Sequence, residues 1–132
     1  MASIRREFEV NAPAEAAWAA VHDFGAVHER LAPGFVVDAR VDGDARVLTF
    51  GNGMVAREVL VDVDHAARRL VYSVQGGAFT HDNAAVRIVP LDKNRCRFIW
   101  HRDMLPNDLA DAVAAMMDEA VPIMKRTLEQ PA

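Results

Sequence analysis

The sequence predicts an α+β domain in which a curved seven-stranded antiparallel sheet wraps around a long C-terminal helix, in the order β-α-α-β6-α. Three observations carry this. From Phe35 to Asp103 the apolar residues recur with period two, and turn residues interrupt them about every ten positions. The connections are mostly tight turns, which join antiparallel strands and not parallel ones. From residue 108 onward a helical period returns, and its apolar stripe is the obvious cover for the face that such a sheet must bury.

The elements follow in order. Ile4, Phe8 and Val10 share one side of a period-2 segment whose other side holds Arg5, Glu7 and Glu9, so the chain opens with a half-buried strand. Pro13 fits the first turn of a helix, where its missing N–H costs nothing, and Glu15 suits the positive helix end. Trp18 and Val21 lie on one face of that helix, which is expected to stop near Phe24-Gly25. A second short helix, Ala26–Leu31, ends before Pro33-Gly34. Six further strands are expected over Phe35–Val41, Arg46–Phe50, Met54–Val63, Arg69–Val74, His81–Val89 and Arg95–Met104. Gly51-Asn52-Gly53 is the strongest hairpin signal among the turns between them. In the final helix, Leu109, Val113, Met116, Ala120, Ile123 and Thr127 fall within about 80° of one another at 100° per residue. Asp108 and Asp111 near its start, and Lys125 and Arg126 near its end, match the helix dipole. Pro122 removes one backbone hydrogen bond inside the pattern, and a kink is expected near Asp118–Ala120.

Composition narrows the class. A chain of 132 residues fits one domain, 1–132, and can bury a core without a disulfide or metal staple. Its single cysteine, Cys96, excludes an internal disulfide framework and a cysteine-based zinc site. No apolar run is longer than Ala16–Val21, far short of the roughly 20 residues a membrane helix needs, and MASIRREFEV holds no signal-peptide core. A net charge of −4, with no basic run longer than two residues, argues against nucleic acid or an anionic membrane as partner. The expectation is a soluble, acidic, cytoplasmic domain. The preference for arginine over lysine and the abundance of alanine point to a GC-rich bacterial genome.

At this point a family resemblance appears. "VNAPAEAAWAAVHDF" (Val10–Phe24), "ARVLTFGNGMVAREVLVDVD" (Ala45–Asp64), "RRLVYSV" and "CRFIWHRDMLP" resemble, in order and spacing, segments of the START / birch-pollen-allergen-like superfamily. Within it they resemble the bacterial polyketide cyclase/dehydrase-like (SRPBCC) branch. The resemblance covers nearly the whole chain and implies the helix-grip fold, with a ligand cavity between the long helix and the concave sheet. None of the segments is a catalytic signature. Leu31 and Asn83 stand where the family often has Trp and Tyr, departures that imply a roomier cavity and, at Asn83, a more polar one.

Strand parity then nominates residues. Glu58 shares a face with Met54, Ala56 and Leu60, and Tyr72 with Leu70 and Val74. Arg87 shares one with His81, Asn83 and Ala85, and Trp100 with Cys96, Phe98 and Arg102. Taking these faces as concave, the expected ligand-binding set is Glu58, Leu60, Tyr72, Val74, Asn83, Ala85, Arg87, Phe98 and Trp100 under Val113, Met116, Met117 and Ala120. That is an apolar pocket with a few convergent polar groups, as small-molecule sites require. Glu58 and Arg87 are expected to pair, because a lone buried carboxylate costs several kcal/mol or takes up a proton. A plain internal salt bridge, or outward-facing charges, is the blander alternative.

Catalytic signals are sparse. Glu58, Tyr72, Arg87 and His81 are the candidates for moving protons or stabilising an enolate; His81 reads equally as a surface histidine at the pocket mouth. The five histidines have no metal-ligand spacing, so no metal and no cofactor is expected. Neither Ser3 nor Ser73 lies in a nucleophile elbow, and Cys96 among Phe98 and Trp100 is expected to be inert. The leading expectation is binding of a hydrophobic or amphipathic small molecule, lipids included. The alternatives are a polyketide cyclase/dehydratase-like enzyme and a protein-interaction module without an open cavity. The expected partner is the small molecule, with no nucleic acid and no integral membrane contact; a homodimer is compatible with the sequence.

Overall fold

Residues 1–131 are described by the computed structural model, so the last residue of the expected 1–132 span lies outside them. Seven strands form: β1 (Ala2–Val10), β2 (Val36–Asp42), β3 (Ala45–Phe50), β4 (Val55–Asp64), β5 (Arg69–Gln75), β6 (His81–Asp92) and β7 (Arg95–Leu105). Helices α1 (Ala14–His22) and α2 (Val27–Arg30) separate β1 from β2, and α3 (Ala110–Leu128) follows β7 after a short 3-10 turn at Asn107–Leu109. Every pairing is antiparallel, and the sheet runs β1-β7-β6-β5-β4-β3-β2. All seven expected strands are present, most with ends within a residue or two of the expected ones. This is the helix-grip arrangement.

The alternation of the chain places the core. Ile4, Phe8 and Val10 of β1 meet Arg102, Phe98 and Cys96 of β7 in register, and the Phe8 and Phe98 rings stack at 4.7 Å. Leu48, Leu70, Tyr72, Val86, Ile88, Phe98 and Trp100 continue the buried concave face, and α1 adds Ala17, Trp18 and Val21 from one end. A bulge between Leu60 and Asp62 shifts the parity of β4, so Val63 rather than Asp62 packs against the core beyond it.

α3 is one uninterrupted helix through Pro122, whose ring is exposed. Its buried line is Val113, Met117, Ala120, Met124 and Leu128. The expected line through Met116, Ile123 and Thr127 is thus corrected by a turn of about 60° around the axis, at 3.6 residues per turn. The cause lies on β1. Arg6, on the same strand face as Phe8, holds Asp118 at 2.6 Å; Lys125 donates to the Glu9 carbonyl at 2.6 Å; and Glu129 accepts from the Asn11 N–H at 2.8 Å. α3 therefore packs chiefly along β1. That leaves its Val113–Met116 side turned toward the far end of the sheet, where a cleft opens.

Candidate ligand-binding site

An inner cavity and an outer, mostly apolar cleft lie between the sheet and α3, and Phe50 lines both. The inner one holds about 50 Å³ and is walled by Leu31, Leu48, Leu70, Tyr72, Val86, Trp100 and Met124, with Arg46 and Glu58 among them. The outer cleft holds about 260 Å³ and lies between the β3–β4 hairpin, the β5–β6 loop and the start of α3. Its lining includes Phe50, Met54, Val55, Ala56, Val74, Phe79, Leu109, Val113 and Met116, with Arg102 as its one charged side chain. Gly76 and Gly77 both adopt positive φ, 81° and 63°, a conformation that other residues resist; they let the loop turn and bring Phe79 to the rim.

Glu58 points inward on β4 and is buried, but its partner is Arg46, not Arg87. Arg46 Nε and Nη2 both donate to Glu58 Oε1, at 2.9 and 2.8 Å. The two residues sit opposite each other in the β3–β4 register, and the guanidinium also lies over the Phe24 and Tyr72 rings at 4.2 and 5.1 Å. Hairpin counting reaches this pair: a turn at Gly51-Asn52-Gly53 that pairs Thr49 with Val55 necessarily pairs Arg46 with Glu58.

β6 is the main correction. Its buried face is Asp82, Ala84, Val86 and Ile88, so His81, Asn83, Ala85 and Arg87 lie on the convex side. His81 and Arg87 are exposed, Asn83 and Ala85 half-buried, and none of the four lines either cavity. Physically, burying Val86 and Ile88 outweighs burying Ala85 and Val89, and Arg87 gains full hydration by facing out. Asn83 therefore does not make the cavity more polar, whereas Leu31 does line the inner cavity. Asp82 takes the inward position that sequence reasoning missed. Its carboxylate is fully buried, accepting from Arg102 Nη2 at 2.6 Å and from the Val74 N–H at 2.8 Å.

The remaining candidates divide. Tyr72 and Trp100 line the inner cavity; Val74, Val113 and Met116 line the outer cleft. Phe98, Met117 and Ala120 are core residues fully buried beside them, and Leu60 is half-buried on the concave side. Burial, and secondarily the Glu58 carboxylate, push the Tyr72 phenol up to about 12, against the opposing pull of Arg102, Arg46 and the Trp100 N–H. Tyr72 is therefore a neutral donor at any ordinary pH. Burial opposes charge on Arg102, but Tyr72, Asp82 and Glu58 outweigh it and hold the guanidinium above its usual range. Arg102 Nε is buried without a hydrogen-bond partner, and the buried Trp100 N–H has the Tyr72 phenol as its polar neighbour. Burial pushes the Cys96 thiol up, and among the described residues no cluster of histidine, cysteine and acidic side chains is arranged to hold a metal ion. His22 is half-buried on α1, its ring tilted against Trp18 at 5.2 Å and edge-on to His65 at 5.0 Å, away from both cavities. No helix among the described residues is long and apolar enough to cross a membrane.

The fold has solved counterparts. A solution structure from Thermobifida fusca is 29% identical, with a TM-score of 0.80 over 98% of this chain and 91% of that one. A START superfamily protein from Mycobacterium smegmatis is 18% identical, with a TM-score of 0.73 over 96% of this chain and 98% of that one. Norcoclaurine synthase from Thalictrum flavum is 21% identical, with a TM-score of 0.75 over 97% and 84%. No curated protein sequence matches the chain. The sequence model of one family does, over residues 1–130, and with it the cleft, the inward polar pairs and the helix-grip sheet acquire a setting: the chain belongs to the polyketide cyclase / dehydrase and lipid transport family.

Proposed function

We propose that this protein binds an apolar or amphipathic small molecule in the outer cleft, with one end of the ligand directed past Phe50 toward the inner cavity. The observation that carries this reading is the cleft itself. Met54 and Val55 remain more than half exposed at its rim, although Met116 and Val113 stand across from them. Apolar surface left open between two elements that could close on each other is stabilised by whatever fills it, by about 25 cal/mol for each Å² covered. At about 260 Å³ the cleft is just below the roughly 300–1,000 Å³ of sites for drug-sized molecules. The same opening argues against an interaction module with a closed interior.

A second reading, a cyclase/dehydratase-type reaction, draws on the two neutral donors of the inner cavity. Tyr72, held protonated, and the Trp100 N–H beside it are groups that stabilise a developing enolate oxygen. Against it, Glu58 is held by two donors of Arg46 and is no free base.

The test is occupancy. Native mass spectrometry of the protein as expressed should find a co-purified apolar small molecule. An uncharged apolar fluorophore such as Nile red should bind and brighten, and Ala112→Trp, which places a ring in the cleft from an exposed helix position, should abolish that binding without unfolding the chain. Undiminished dye binding in the tryptophan variant would remove the cleft as the site.

A further inference from the structure

Arg102 is the one charged side chain on the wall of the outer cleft, and it is 6% exposed. β7 alternation puts it on the concave face two residues beyond Trp100, and the β6–β7 register sets Ala84 opposite it and Asp82 diagonally beside it. Asp82 uses one guanidinium nitrogen, Nη2, at 2.6 Å, and spends its other oxygen on the Val74 N–H. The Phe79 ring packs against the guanidinium at 5.7 Å from the loop side. After these contacts Arg102 Nε is buried with nothing to donate to. An unmade hydrogen bond on a buried, charged donor is among the costlier defects of a folded chain, and native chains rarely carry one without a use.

Resting on the binding reading above, we propose that Arg102 is the specificity-determining anchor of the cleft: its Nε–H donates to a neutral oxygen acceptor, a ketone, ester, amide or quinone carbonyl, on an otherwise apolar ligand. Neutrality follows from the charges already buried. Arg102 is matched by Asp82 and Arg46 by Glu58, so the interior is balanced as it stands. A carboxylate or phosphate would add a buried negative charge with no cation left to meet it, and burying an unmatched charge is far costlier than burying a carbonyl that finds a donor. Phe50, Val55, Phe79, Val113 and Met116 offer only contact area, and the Gln75 amide lies at the solvent-exposed rim, so Arg102 is the buried donor that decides which way round the ligand lies.

Three naphthalenes of nearly one shape test this: 2-acetylnaphthalene, 2-ethylnaphthalene and 2-naphthoate, titrated calorimetrically into the intact protein. The expected order is 2-acetylnaphthalene tightest, by about tenfold or more over 2-ethylnaphthalene, a ratio in keeping with a hydrogen bond to a charged donor. The carboxylate should bind weakest. Arg102→Lys retains a cation for Asp82 but lacks the guanidinium fork, and should reduce the acetyl-to-ethyl ratio to within about twofold. In the unmutated protein, where folding is not in question, the Arg102 Nε–H signal in NMR should shift with 2-acetylnaphthalene and stay in place with 2-ethylnaphthalene. Equal binding of the acetyl and ethyl compounds, with the Nε–H signal unmoved, would overturn the anchor while leaving the binding site standing. Tightest binding of 2-naphthoate would overturn the neutral-acceptor assignment. Failure of all three to bind would overturn the binding reading itself, and the anchor with it.

Discussion

Tyr72 is the chain's one tyrosine, and it sits at the junction of the two buried ion pairs, beneath Arg46 and within the field of Arg102 and Glu58. Folding raises its pKa from 10.0 to about 12, first through burial and then through Glu58. A phenol with a raised pKa holds its proton more tightly in the folded state, so its effect on stability is constant below about pH 10. Between about pH 10 and 12 the unfolded chain ionises first and the folded state loses roughly 2–3 kcal/mol. Phenolate absorbance, which only Tyr72 can produce, should therefore stay absent in the native protein near pH 11 and appear together with unfolding. Ionisation near pH 10 with the fold intact would show that the ring reaches solvent. The partner of Glu58 is also set at the residue scale. Glu58 was legible as a buried acid from its neighbours Ala56 and Leu60, but its partner is decided by cross-strand register. Arg46 faces it directly, while Arg87 lies on another strand's opposite face.

At the scale of elements, the legible and the illegible separate along physical lines. All seven strands could be read because apolar alternation and Gly- or Asp-containing turns act locally, within each segment. The facing of β6 could not, because His81–Val89 carries polar residues on both sides: Asp82 on one, His81, Asn83 and Arg87 on the other. Val86 and Ile88 against Ala85 and Val89 tilt the balance, and the Arg102–Asp82 contact, made across strands, completes the choice of which polar residue is inside. The face of α3 was ambiguous in the same way. Met116, Met117, Ile123 and Met124 make its apolar stripe wider than one line, and the ties to Arg6, Glu9 and Asn11 of β1 and the residue after it choose among them. Pro122 lies on the exposed side of α3, so its replacement disturbs no core contact. Proline inside a helix costs about 3 kcal/mol relative to alanine, and returning flexibility to the unfolded chain gives back about 0.4–1 kcal/mol of that gain. Pro122→Ala should thus stabilise the protein by about 2 kcal/mol, seen as a rise in the urea midpoint with unchanged slope. A fall in the midpoint would mean that the proline shapes α3 in a way the sheet depends on.

For the whole molecule, the decisive property is that the outer cleft and the chain's one cysteine occupy different regions. The cleft lies between the β3–β4 hairpin, the β5–β6 loop and the start of α3, whereas Cys96 pairs with Val10 on one side and Pro90 on the other, at the start of β7. Cys96 is 0% exposed, as are Val10 and Phe98 around it. Burial pushes its thiol pKa up, so the fraction present as reactive thiolate is small even before access is considered. As the chain's one thiol, it reports opening of this end of the sheet alone. A fully buried residue set between strands on both sides is expected to meet solvent chiefly through global unfolding. Labelling by a thiol reagent should accordingly be slowed by about 10³-fold or more relative to the unfolded chain, and should accelerate with urea along the full unfolding slope. A ligand seated in the cleft touches none of these residues, so it should slow labelling only through the mass-action stabilisation of the native state, RT ln(1 + [L]/Kd). Rapid labelling in native buffer would show that the β1–β7–β6 end opens on its own. Protection by ligand well beyond the mass-action value would show that cleft and core are coupled, and that α3, pinned to β1 and bordering the cleft, carries the coupling between them.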